Sequence, residues 1–88
     1  MSKSELYRHA RAYGYRWLRD NPPSGGPEDE PTVVAVLLEH LGTLPKASLH
    51  TAAALEDIAV DVTDHVLWVA HTKNLDRAIA SMQGRFPD

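Results

Sequence analysis

Residues 21–31, Asn-Pro-Pro-Ser-Gly-Gly-Pro-Glu-Asp-Glu-Pro, hold four of the six prolines and two of the five glycines. Proline fixes φ and withholds a backbone donor, so neither a helix interior nor a central strand is built from such a stretch. The segment 21–30 therefore reads as a linker with an acidic end. It sets residues 1–20 apart from a body at 31–88. A chain of 88 residues seldom divides into two cores, so the expectation is one small domain. The linker leaves the N-terminal helix, 1–20, able to move or to be swapped onto a second copy.

Within residues 4–20, Leu6, Ala10, Tyr13 and Trp17 follow the spacing of one helical stripe. Arg8, Arg11, Tyr15 and Arg19 fall on the other side. Ser2 or Ser4 supplies an N-cap, and Asn21 before Pro22 ends the helix. Gly14 in mid-helix costs about 1 kcal/mol relative to alanine, which suits close approach of another backbone.

A second helix is expected over 31–41. Pro31 suits its first position, Asp29 or Glu30 precedes it, and Gly42 stops it. Val33, Val34, Leu37, Leu38 and Leu41 form its apolar face. Ser48 then caps a third helix over 49–59, with Leu55 and Ile58 inward. Residues 57–72 read two ways. Ile58, Val60 and Val62 alternate like a half-buried strand, which gives a β-hairpin at 57–71 and an α+β fold. Leu67, Trp68, His71, Leu75, Ala78, Ile79, Met82 and Phe86 instead share one helical face, with Thr63 as cap and Gly84 as stop. The longer face decides for a fourth helix over 64–84. The expected fold is mostly α, a compact bundle of four helices, with the hairpin as the alternative. Its core is Trp17, Leu37, Leu38, Leu41, Leu55, Ile58, Trp68, Leu75 and Ile79.

The net charge of -3 is unevenly spread. Residues 1–20 carry five cations against Glu5 and Asp20, whereas 21–88 carry four cations against ten carboxylates. A basic helix on an acidic body points to a macromolecular partner. With no cysteine, disulfides, thiolate zinc sites and cysteine nucleophiles are excluded. The lack of a signal-peptide pattern and of a long apolar run points to a cytoplasmic protein without a membrane partner. Eleven alanines and six arginines against three lysines reflect GC-rich coding, as in a high-GC bacterium or its phage.

Nothing in the motifs calls for an enzyme, a cofactor or a metal. Ser24-Gly25-Gly26-Pro27 lacks the lysine of a phosphate loop. His9, His40, His50, His65 and His71 form no i, i+4 pair with an acidic third ligand. Glu56, Asp57, Asp61 and Asp64 lack the glycine and terminal glutamate of a calcium loop.

Ala53-Ala54-Leu55-Glu56-Asp57-Ile58-Ala59, a turn at Val60–Thr63 and a helix from Asp64 onward resemble a bacterial helix-turn-helix. That resemblance implies a DNA-binding transcriptional regulator with Thr63, His65, Lys73, Asn74 and Arg77 as nucleic-acid contacts. Asp61 stands where the turn's glycine belongs, and Asp64 opens a helix that would face phosphates. The leading expectation is accordingly a small adaptor or regulatory protein that binds another protein through Arg8, Arg11, Tyr15 and Arg19, and that self-associates through its first helix.

Overall fold

In a computed structural model, which describes residues 2–45 and 47–83, four helices pack together and no strand occurs among the described residues. The hairpin alternative is not supported. The helices are α1 (Lys3–Asp20), α2 (Asp29–Thr43), α3 (Ala52–His71) and α4 (Leu75–Gln83), with a short 3₁₀ turn at Ala47–Leu49. Both α1 and α3 touch every other helix of the bundle. The extents, 35 × 32 × 16 Å, make a flat body with little depth for a core.

α1 opens on a reciprocal cap. The Glu5 N–H donates to Ser2 Oγ at 3.2 Å, and the Ser2 N–H donates to the Glu5 carboxylate at 3.4 Å. Its buried stripe is Leu6, Ala10, Gly14 and Leu18, one position around from the expected Tyr13 and Trp17, which are half-buried. The linker is held by hydrogen bonds. Asp29 accepts from the backbone N–H groups of Ser24 and Gly25 at 3.0 and 2.8 Å, and Gly25 takes the left-handed φ of 87° that glycine tolerates.

α2 starts at Asp29, which puts Pro31 at the third helical position, where its missing N–H is still one of the unpaired first-turn groups. The helix passes through Gly42 and ends at Thr43. Pro45 is the effective stop, because the residue before a proline is driven to extended backbone and Leu44 has ψ 148°. Ser48 lies in the 3₁₀ turn, and Thr51 caps α3 instead, accepting from the Ala54 N–H at 3.0 Å.

The main correction concerns the third and fourth helices. No break occurs at 60–63, and 52–71 is one helix. Neither Gly nor Pro lies in that stretch. The β-branched residues cost only about 0.5 kcal/mol each in helix propensity, which burial of Ile58, Val62, Val66 and Val69 along one stripe offsets. Thr63 is therefore not a cap but a fully buried mid-helix residue. The turn that the helix-turn-helix resemblance required is absent.

The chain turns instead at Thr72–Asn74. The Asn74 N–H donates to the Val69 carbonyl and the Lys73 N–H to the Ala70 carbonyl, both at 3.1 Å, with Lys73 left-handed at φ 61°. These are the two bonds of a Schellman stop. The Asn74 carbonyl then accepts from the Ala78 N–H at 2.9 Å to begin α4. Gly84 and Phe86, the expected stop and last apolar position, lie outside the described residues.

Of the expected core, Leu37, Leu41, Ile58 and Ile79 are buried, and Trp17, Leu38, Leu55 and Leu75 are half-buried. Trp68 is 62% exposed. Once Val62, Val66 and Val69 point inward on a single helix, about 100° per residue carries Trp68 to the outer side. No helix among the described residues is long and apolar enough to cross a membrane.

Candidate functional site

The seam between α1 and α3 holds a groove of about 590 Å³. α1 contributes Ser4, Tyr7, Arg8 and Arg11, whose i, i+3, i+4, i+7 spacing puts them on one side of the helix. α3 contributes Asp61, Val62 and His65. The apolar stripes of the two helices meet just beneath, which brings these polar flanks face to face.

Two hydrogen bonds tie the walls together. The Tyr7 hydroxyl donates to the Asp61 carboxylate at 2.9 Å, and that bond, with lesser help from burial and nearby carboxylates, holds the phenol pKa above its ordinary value. Deeper in the seam, Tyr15 Oη lies 2.6 Å from His65 Nε2. Burial pushes the Tyr15 pKa up and the Arg11 guanidinium partly counters it, so the phenol keeps its proton near neutrality. A neutral His65 then accepts at Nε2 and carries its own proton on Nδ1, whereas a protonated His65 donates to the phenol oxygen.

Arg11 differs from its neighbours. Its Nε is buried and has no hydrogen-bond partner, while the residue as a whole is half-buried on the groove wall. A buried donor of a charged group left without an acceptor is costly, and such cases call for an explanation.

The structure thus gathers Arg8 and Arg11 from the expected protein-binding set and His65 from the alternative nucleic-acid set. Tyr15 is not outward: at 6% exposed it is part of the core, with its hydroxyl spent on His65. α1 is embraced on more than one stripe by its neighbours, so its buried arc is wider than a single stripe implies. Arg19 is far along α1, exposed, and 3.7 Å from Asp20. It borders a separate shallow depression that includes Lys73. Asn74 belongs to the α3–α4 connector and Arg77 is exposed on α4, while buried Thr63 reaches no external ligand.

Tyr7, Asp61 and the exposure of Trp68 were not anticipated as site features. The spacing did hold a signal: Tyr7 with Arg11, and Asp61 with His65, are i, i+4 pairs of polar or aromatic residues on two amphipathic helices. Recognising them as one site required knowing that α1 and α3 lie side by side.

On the other flank of α1, Tyr13 and His40 stack with ring centroids 4.0 Å apart and planes 9° from parallel. Burial depresses the His40 pKa, and the charge of His9 adds to the shift. Among the described residues no group of three or more His, Asp or Glu side chains is placed to hold a metal ion. No family model, curated protein or solved structure gives a significant match to this chain.

Proposed function

We propose that the protein is a small non-enzymatic adaptor or regulator that acts by binding another protein across the α1–α3 seam. One observation carries this reading. The arginine-walled groove shares its α3 side with Trp68, which follows His65 by about one turn and stands 62% exposed. Tryptophan, tyrosine and arginine are the side chains most enriched at the energetic centres of protein interfaces.

Charge favours a protein over nucleic acid as the partner. Asp57, Asp61 and Asp64 line the exposed side of α3, where they would repel a phosphate backbone. A cytoplasmic address, a GC-rich bacterial or phage source and self-association through α1 belong to the same proposal.

Site-specific photocrosslinking tests it. A benzoylphenylalanine at position 68 should capture a discrete protein in the native cytoplasm, insensitive to nuclease. The same group in place of Glu39, on α2, should not. Capture of nucleic acid, or equal capture from both positions, would overturn the reading.

A further inference from the structure

Resting on that reading, we infer that the outer face of α3 receives a basic amphipathic helix of the partner. This face carries apolar surface that its own chain leaves uncovered. Trp68 is 62% exposed and Val60 41%, and Leu67, seven positions after Val60, is half-buried. At about 100° per residue, Val60 and Leu67 share one flank of the face and Trp68 lies near its middle. Apolar positions seven residues apart form the stripe that a second helix packs along.

Charge decides which helix. α3 carries Glu56, Asp57, Asp61 and Asp64, all exposed, and no lysine or arginine in its 20 residues. Asp57 and Asp64 fall in the middle of the face beside Trp68, and Glu56 lies on the Val60 flank. The groove's arginines, Arg8 and Arg11, stand on the opposite flank, with Asp61 and His65. A second copy laid α3 on α3 sets these carboxylates against their own counterparts, and an acidic helix or a phosphate backbone meets the same repulsion. A helix with lysine or arginine beside its apolar stripe meets complementary charge instead. Its cations reach Asp57 and Asp64, and the exposed ring of Trp68 attracts a cation to its face. Exposed ion pairs contribute little singly, so the apolar stripe supplies most of the affinity and the carboxylates select the partner.

The test is a titration of the full chain followed through its two indole N–H signals and backbone amides in ¹⁵N NMR. The probe is a blocked peptide of three Leu-Ala-Lys-Lys-Leu-Ala-Lys heptads, with counterparts in which glutamine or glutamate replaces every lysine. The Trp68 indole and the amides of Asp57, Val60 and Asp64 should move and saturate with the lysine peptide, while the Trp17 indole stays in place. The glutamine peptide should bind more weakly and the glutamate peptide should leave the signals unmoved. Asp57→Asn with Asp64→Asn should weaken the lysine peptide about fivefold to tenfold, the loss expected of two exposed ion pairs. Trp68→Ala should weaken it further. Unchanged thermal unfolding of these surface variants shows that the fold persists.

Equal binding of the glutamine or glutamate peptide would overturn the proposal. So would undiminished binding by the asparagine double variant, shifts spread equally over α2, or spermidine binding as tightly as the peptide. Concentration-dependent shifts of Trp68 in the chain alone, with dimers in sedimentation, would assign the face to a second copy and overturn it too. The partner reading fails separately. If position 68 captures a protein and mass spectrometry places the crosslink on a segment without lysine or arginine, the protein partner stands and the basic helix falls. If the lysine peptide binds as described while position 68 captures no protein, the reverse holds.

Discussion

The Val66 side chain of α3 fills the notch that Gly14 opens in α1: a Cβ at position 14 would lie 3.2 Å from Val66 Cγ1 and 3.3 Å from Cγ2. Leu37 Cδ2 closes the same notch at 3.5 Å. The contact is with side chains rather than with the second backbone that a mid-helix glycine suggests. Val66 and Leu37 are both fully buried, and a close-packed interior yields little to an added methyl. Gly14→Ala should therefore destabilise the fold by about 1–2 kcal/mol, overriding a helix-propensity gain of about 1 kcal/mol. In a Val66→Ala background the same change should become stabilising. A double-mutant cycle in denaturant measures the sign, and a stabilising Gly14→Ala in the parent chain would contradict the packing described.

Thr63 offers the opposite case. Its hydroxyl is buried without a hydrogen-bond partner, so it gives the core a polar group and nothing in return. Thr63→Val keeps the shape and removes the hydroxyl, and should raise stability by about 1 kcal/mol. Thr63→Ser, which keeps the hydroxyl and deletes the methyl, should lower it. Chemical denaturation of the two variants checks the pair.

Lys73 holds a left-handed φ of 61° at the stop of α3, where a Cβ is penalised. Lys73→Gly should gain about 1 kcal/mol, read as a higher unfolding midpoint, while Lys73→Ala should gain nothing.

His40 makes stability depend on pH. Burial lowers its folded-state pKa below the unfolded value near 6.5, so the unfolded chain takes up the proton more readily. Its contribution is complete above that unfolded value and is lost as pH falls through the folded one. Unfolding midpoints should decline between about pH 7 and pH 5, and His40→Phe, which keeps a ring against Tyr13, should flatten the decline. An equal decline in the variant would assign it to other groups.

Local signals were the legible part of this fold. Ser2 as cap, the Pro/Gly interruption before α2 and the inward positions of Leu37, Leu41 and Ile58 all act within one turn of themselves. The α3–α4 boundary was not legible, because the residues at 60–63 are weak helix formers rather than breakers, and the true stop rests on a lysine in a conformation usually left to glycine. Tyr15 escaped for a different reason. Its stripe looks polar beside Arg8 and Arg11, and only the position of α3 turns that flank into a seam. Half of the groove could be read from α1; the other half depended on which helix came to lie beside it.

The hydrogen bonds that join the groove's walls connect residues 54 and 50 positions apart in the chain. Separating α1 from α3 erases such a cleft. Whatever occupies it therefore acts as a tether between remote parts of the sequence. A ligand at about a hundred times its dissociation constant adds roughly 2.7 kcal/mol to global unfolding, and its occupancy rises and falls with the bundle as a whole.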